Sequence, residues 1–413
     1  MGFVNMLKKH VGGTSGATVV LLVGQVTAAL GAVLVNILAA RVLAPADRGD
    51  LAFGLQVAYF LTVFSIMGVE RPYIAERDEG FHSAYLNFVK LVLPGAIAIV
   101  PIVFMAAYYS HLGNDWVIYG IAAIAIYTAL NAVSHGIRVG YVVSRDWAIF
   151  GIYTIVVQLM IIGGAILLTV LQVDQPEAWM LIYASSTVPA LYLLVQAVRG
   201  RRRHRSVEPE QRSRIRKKGW VLLPAQFSNT AMTRLDRLFL PVLGSPADLG
   251  LYVTVASVLE MAGWPVTQWV DASLRGWTKS GVNLTAEIPR IMLKSFVLLV
   301  LLAATLGSAS YLMIHVFLPD SYQKAILAIL PLAIGSVIFG LTRIQQGFLI
   351  AVGAAANVSI VEIIGTVASA IALFFFIPSY GMLGAAFGAI VGYIVCFILG
   401  AILLLQIRRK VGK

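Results

Sequence analysis

A short turn motif occurs twice in this chain, 201 positions apart. Residues 45–49 (PADRG) return as residues 246–250 (PADLG), and at the same offset Gln25 returns as Gln226. Each copy of the motif follows an apolar segment long enough to cross a bilayer. The repeat predicts two copies of one multi-helix membrane unit. Two such halves that rock about a shared cavity are typical of transporters.

The composition predicts a protein that lives in lipid. Of the 413 residues, 59% are hydrophobic and only 12% are charged, whereas a soluble domain has about 25% charged residues. The net charge of +12 does not indicate a nucleic-acid partner, because the basic residues cluster between apolar runs, as they do in membrane proteins. The single cysteine, Cys396, excludes an intrachain disulfide.

The apolar runs predict about twelve spans. Their approximate limits are 17–41, 51–69, 84–109, 116–137, 148–171, 178–198, 220–243, 250–271, 290–317, 325–350, 357–377 and 382–406. The expected fold is therefore all-α and integral to the membrane. Six spans per half place a bundle at 1–198 and another at 219–413, related by a pseudo-twofold axis along the membrane normal.

The segment between the bundles, 199–218, is the most basic part of the chain. The positive-inside rule places it in the cytoplasm, with both termini, in a bacterial-type cytoplasmic membrane. It could bind nucleic acid or a regulator. The interpretation we favour is that this segment sets the membrane topology and also contacts anionic membrane lipids.

Polar residues inside a span are costly and indicate function. The seventh span has the most, spaced so that they share one helical face: Gln226, Asn229, Thr233 and Arg237, with Arg234 and Asp236 on the flanks. Gln25 and Asn36 form a weaker echo on the first span. Two related helices with such faces predict a substrate cavity between the halves.

The two arginines allow two interpretations. Arg234 and Arg237 could hold a phosphate or pyrophosphate, which guanidinium groups bind bidentately. They could instead form an internal ion pair with Asp236 that fixes helix packing. Both hold if substrate displaces the pair.

Two further carboxylates lie within predicted spans. Glu260 could release a proton and couple transport to an ion gradient, or it could simply hydrogen-bond a neighbouring helix, which is the reading we favour. Glu362 could line an inner vestibule with Arg343, but a pair between the two is the favoured expectation.

Several chemistries are missing from the sequence. There is no Walker sequence for ATP, no Cys or His cluster with metal-ligand spacing, and neither of the hydrolase motifs H-E-x-x-H and G-x-S-x-G. No long hydrophilic segment lies on the predicted outer side to house the active site of a membrane enzyme of glycan assembly. We therefore expect no enzyme activity, no cofactor and no metal.

Three segments carry a resemblance to a known family: 40–49 after the first span, 234–252 with its R-L-D-R-L and P-A-D-L-G-L-Y sequences, and 380–386 (YGMLGAA) before the last span. On these segments the chain resembles the oligosaccharide (O-antigen type) flippases of the multidrug/oligosaccharidyl-lipid/polysaccharide exporter superfamily. The resemblance covers nearly the whole chain.

The resemblance implies two six-helix bundles around a cationic cavity. It implies export of a polyprenyl-pyrophosphate-linked oligosaccharide to the outer leaflet by alternating access, for cell-surface polysaccharide, with Arg234, Arg237 and Asp236 at the site. Other membrane proteins of polysaccharide assembly could be partners. The first span departs from the pattern, because it has no arginine before Arg41. A cation-coupled drug or metabolite antiporter of the same fold remains the alternative.

Overall fold

The structure, a computed structural model, describes residues 14–109, 116–144, 146–199, 207–266, 269, 270, 273, 277 and 282–411. These residues contain helices and turns and no β-strand. The α-helices are α1 Thr14–Val42, α2 Pro45–Ile66, α3 Glu70–Glu76, α4 Phe81–Tyr109, α5 Trp116–Ser144, α6 Trp147–Val170, α7 Pro176–Ser185, α8 Val188–Arg199, α9 Pro209–Leu243, α10 Pro246–Leu259, α11 Val282–Leu312, α12 Ile329–Ala351, α13 Ala355–Tyr380 and α14 Met382–Val411.

The helices are long because a chain in lipid must satisfy its backbone hydrogen bonds internally. Ten helical segments in the described part of the chain are long and apolar enough to cross a membrane. Two predicted spans are not among them. The span at 220–243 is interrupted by Arg234, Asp236 and Arg237, and for the span at 116–137 the side chains are described only from position 124 onwards. The predicted class, an all-α integral membrane protein, is confirmed.

The chain divides into two compact units. Unit 1 holds the described residues up to Val42 and those from Gly54 to Phe227. Unit 2 holds Leu43–Phe53 and the described residues from Ser228 onwards. In unit 1, α1 packs along α6 and α4 along α5. In unit 2, α14 packs along α13 and α12, and α11 packs against α12.

The predicted basic linker is largely helical where it is described. Residues 200–206 lie outside the described part, but α9 begins at Pro209 and runs without a break into the seventh predicted span. Its first turns are tied to the rest of unit 1: Arg212 donates to the carbonyl oxygen of Lys90 at 2.8 Å, and Ile215 is fully buried in a hydrophobic cluster. Apolar and polar contacts therefore hold the described part of this basic segment as helix from Pro209 onwards.

The repeated motif forms the start of a helix in both copies. Pro45 and Pro246 are the first residues of α2 and α10, where proline costs no hydrogen bond. In the second copy the Ser245 hydroxyl accepts the backbone N–H of Asp248 at 3.1 Å and caps the helix. The position that corresponds to Ser245 in the first copy is Ala44, which has no such cap to offer.

The two copies of the motif contact each other reciprocally within unit 2. A Cβ placed on Gly49 would lie 1.8 Å from the carbonyl oxygen of Pro246, and a Cβ placed on Gly250 would lie 1.9 Å from that of Pro45. Only glycine permits so close an approach of two backbones. The glycine that both copies share is therefore required where α2 and α10 cross.

Candidate functional site

Unit 2 contains a cavity of ≈ 190 Å³ between α9, α10, α12, α14 and the turn that follows α10. Its walls are mostly apolar, with a small polar group on one side. The polar lining residues are Thr233, Arg234, Asp236, Glu260 and Ser336, and the aromatic ones are Tyr252, Trp264, Phe339 and Tyr393. An apolar pocket with a few convergent charged groups is the usual form of a ligand site.

The polar side of the cavity is built around Glu260. Helix α10 ends at Leu259, and a 3₁₀ turn begins at Glu260, which turns the carboxylate toward α9. Glu260 forms an ion pair and hydrogen bond with the buried guanidinium of Arg237 and a second ion pair with Arg234 at 3.3 Å. The side chain of Arg237 is only 9% exposed, whereas Arg234 and Glu260 are about one-third exposed, at 32% and 36%.

Asp236 is not the partner of these arginines. It is 6% exposed, and its carboxylate accepts the backbone N–H of Arg237 at 2.9 Å and the hydroxyl of Tyr252. Consecutive residues of a helix do not face each other, and the guanidinium of Arg237 forms its ion pair with Glu260 instead of with the carboxylate of Asp236. The expected ion pair exists, but its acid is Glu260, 23 residues further along the chain than Arg237.

A second polar network lies on the far side of Phe339. Asn229 donates to the carboxylate of Glu362 at 2.7 Å, and Arg343 donates to the same oxygen at 3.0 Å and to Gln346 at 2.9 Å. The guanidinium of Arg343 stacks on Phe339, 4.7 Å from the ring centre. The predicted pair between Glu362 and Arg343 is confirmed.

The residues predicted to share one polar face of α9 therefore serve different purposes. Thr233 and Arg234 line the cavity, whereas Arg237 is buried behind it and Asn229 belongs to the second network. The hydroxyl of Thr233 donates back to the carbonyl oxygen of Thr230 at 3.0 Å. A shared face brings residues to one side of a helix, but the neighbouring helices decide which of them meets water.

The remaining predicted cavity residues belong to unit 1. Gln25 is exposed, Gln226 is half-buried, and Asn36 is buried. Their expected share in a cavity between the halves stays a prediction.

Sequence reasoning did not assign the aromatic residues to the cavity. Tyr252, Phe339 and Tyr393 lie in apolar runs, where an aromatic residue more often serves packing than recognition. Their roles depend on helices that meet only in the folded unit, so no spacing in the sequence marks them. No group of three or more His, Cys, Asp or Glu side chains that could hold a metal ion occurs among the described residues.

Comparison with known proteins gives the fold. No protein-family model matches the sequence, and no curated protein matches it significantly. The structure resembles an inward-facing multidrug resistance MATE family transporter of the MOP superfamily, with a TM-score of 0.69, 14% identity and coverage of 92% of this chain and 94% of that one.

Two further solved structures have the same fold. The lipid II flippase MurJ in an inward closed conformation has a TM-score of 0.64 at 11% identity, with 95% of this chain and 90% of that one covered. A MOP superfamily transporter from Pyrococcus furiosus has a TM-score of 0.52 at 13% identity, with 98% of each chain covered. The predicted fold of twelve helices in two bundles is confirmed by these neighbours, and the chain has the fold of MOP superfamily transporters.

Proposed function

We propose that this protein is a flippase that moves a polyprenyl-pyrophosphate-linked oligosaccharide from the inner to the outer leaflet of a bacterial-type cytoplasmic membrane. Both termini are cytoplasmic in this proposal, and the product serves cell-surface polysaccharide assembly. The observation that carries it is the cavity of unit 2, in which Arg234 is held by Glu260 at 3.3 Å while it faces the open space. A transporter that shares its fold with a lipid II flippase is a suitable framework for this activity.

The ion cluster offers a way to bind and release an anion. Because Glu260 is one-third exposed, an incoming phosphate can compete with it for the guanidinium of Arg234. Guanidinium–phosphate pairs are bidentate and charge-assisted, so the exchange replaces one ion pair with another. Arg237, which is buried, keeps its ion pair with Glu260 during the exchange, so the displaced carboxylate retains a partner.

The size of the cavity defines which part of the substrate it takes. Its ≈ 190 Å³ is less than the roughly 300–1,000 Å³ of sites for drug-sized ligands. The cavity therefore takes the pyrophosphate and leaves the oligosaccharide outside it. Removing a charged head group from water is costly unless hydrogen-bond partners replace the water, and the arginine supplies them.

The test is made in a strain that lacks the gene. We expect its lipid extract to accumulate a completed polyprenyl-pyrophosphate oligosaccharide, measured by mass spectrometry, and its surface polysaccharide to disappear. The unaltered protein should reverse both changes, whereas the Arg234→Ala/Arg237→Ala variant should reverse neither at the same amount of protein in the membrane.

The matched control is Arg343→Ala. Arg343 also pairs with a carboxylate in unit 2, Glu362, but it does not line the cavity. We expect this variant to restore surface polysaccharide in proportion to the protein that folds. Normal lipid intermediates and intact surface glycan in the deletion strain would overturn the proposal. Full restoration of surface polysaccharide by the double variant would show that the two arginines are not required for the activity.

The second candidate function is a cation-coupled antiporter for a drug or metabolite. It is favoured by the aromatic lining, because Trp264, Phe339 and Tyr393 around a carboxylate can hold an organic cation through ring faces and charge. In that case Glu260 is the coupling acid. Proteoliposomes with an imposed proton or sodium gradient should then expel a cationic dye, and Glu260→Gln should abolish the dependence on the gradient. Unchanged ion dependence in that variant would exclude this role.

A further inference from the structure

A cationic cleft in unit 1 lies outside the site described above. It has a volume of ≈ 600 Å³ and is formed by the short helix α3 and the first half of α9. Its basic lining residues are Arg71 on α3 and Arg214, Lys217 and Lys218 on α9. The pocket is more than three times as large as the cavity in unit 2 and opens to the surface.

The charge of the cleft is strongly unbalanced. Four cations face one carboxylate, Glu76, which leaves a net charge of +3. Glu76 is already engaged, since it accepts from Lys218 at 2.6 Å and from Arg214 at 3.1 Å. The hydrogen bond from Lys218 holds the pKa of this carboxyl below its ordinary value, so Glu76 stays ionised at neutral pH and neutralises one cation only. Arg71 and Lys217 are the two lining cations that Glu76 does not bind, and Arg71 also acts on the carboxylate of Glu70 on the same helix.

The rest of the lining is apolar and lies next to the charges. Val221 and Leu222 follow Lys217 and Lys218 by one helical turn and line the same cleft. Val221 is 75% exposed, and the adjacent Trp220 is 59% exposed. In α9 the sequence changes at this point from nearly continuous polar residues to the seventh apolar run. The cleft therefore lies where the helix passes from water into lipid, the depth at which tryptophan and basic residues concentrate.

We propose that this cleft binds the phosphate head group of an anionic phospholipid, with the acyl chains against the apolar part of α9. A phosphodiester matches the guanidinium and ammonium donors, and the net negative charge of an anionic lipid is attracted to a cleft of net charge +3. A tail next to the head group requires the exposed Val221 and Leu222, which a soluble phosphate does not use. The site is separate from the transport cavity and does not depend on the proposed function.

The test is lipid binding to the purified full-length protein, followed by native mass spectrometry. Short-chain phosphatidylglycerol and phosphatidylcholine are titrated against the unaltered protein and against Arg71→Gln/Lys217→Gln. We expect phosphatidylglycerol to bind more tightly than phosphatidylcholine, and the variant to lose about tenfold or more in apparent affinity for phosphatidylglycerol alone, since each basic residue near a lipid surface adds to the attraction.

The matched control is Arg290→Gln/Lys294→Gln, which removes the same two charges from exposed positions near the start of α11. We expect it to bind phosphatidylglycerol as the unaltered protein does. The swap Arg71→Lys/Lys217→Arg keeps the charge and should keep most of the affinity, which separates recognition from misfolding. Equal losses in both glutamine variants, or a loss in neither, would overturn the proposal. Inorganic phosphate that displaces the lipid at equal concentration would also overturn it, because the ligand would then be a soluble anion.

Discussion

Removing the carboxylate of Glu260 should destabilise the protein, because it leaves the buried guanidinium of Arg237 without its ion-pair partner. Breaking a buried pair in this way costs about 3–5 kcal/mol. The side chain of Arg237 is 9% exposed but that of Glu260 is 36% exposed, so water replaces part of the lost carboxylate. Asp236, one residue away and also buried, offsets part of the charge. We therefore expect Glu260→Ala to cost about 3 kcal/mol, at the lower end of this range.

The assay is thermal unfolding of the purified protein in detergent at one scan rate. For a unit of roughly 200 residues, 1 kcal/mol corresponds to about 2–4 °C. Glu260→Ala should therefore lower Tm by about 6–12 °C. Arg234→Ala is the comparison: the side chain of Arg234 is 32% exposed, and a pair of this kind contributes at most about 1 kcal/mol.

The double variant Glu260→Leu/Arg237→Leu tests the reasoning itself. Replacing both partners of a buried pair with apolar residues is often neutral, so the double variant should recover most of the Tm that Glu260→Ala loses. A Tm for Glu260→Ala within about 2 °C of that of the unaltered protein would show that burying the charge of Arg237 does not require this carboxylate. A double variant as unstable as the single one would show that the loss comes from packing and not from charge.

Three further predictions concern other parts of the fold. Gly250→Ala should cost about 1–3 kcal/mol or more in thermal unfolding, because its Cβ would meet backbone at 1.9 Å. Gly163→Ala, whose Cβ would have nothing within 4 Å, should be neutral or stabilising. Equal effects of the two substitutions would refute the close approach of α2 and α10. Glu362→Ala should lower Tm by an amount similar to Glu260→Ala, since it too leaves a mostly buried guanidinium unpaired; an unchanged Tm would contradict this. On α3, outside the ten apolar helices, burial alone would raise the pKa of Glu70, but its interactions with His135 and the nearby arginines lower it to about 2. Because this pKa in the folded state lies below the ordinary carboxyl value of 4.5, the stabilisation is complete above about pH 4.5 and is lost as the pH falls toward 2. The Tm of the unaltered protein should therefore fall more steeply over this pH range than that of Glu70→Gln, and parallel curves of Tm against pH would refute the prediction.

The sequence predicted the membrane class and the helices well, because in lipid the length of an apolar run is close to a direct measure of a span. It also marked the span in α9 as the richest in polar residues, since few side chains of that kind enter a bilayer without a reason, and their function stays a prediction. The interpretation of Arg237 as one partner of an internal ion pair with Asp236 had two parts with different outcomes. The need for an acidic partner follows from burial alone, but the identity of the partner was wrong.

The partners were decided by tertiary structure. Glu260 meets Arg237 because α10 ends one residue before it and returns the chain toward α9. Neither this geometry nor the stacking of Arg343 on Phe339 can be predicted from the spacing of residues in the sequence. The repeated motif lies between these cases: the sequence alone marked residues 45–49 and 246–250 as a specific repeat, without singling out their glycines. Only the folded unit shows that the two glycines lie against each other's helix start, where a side chain has no space.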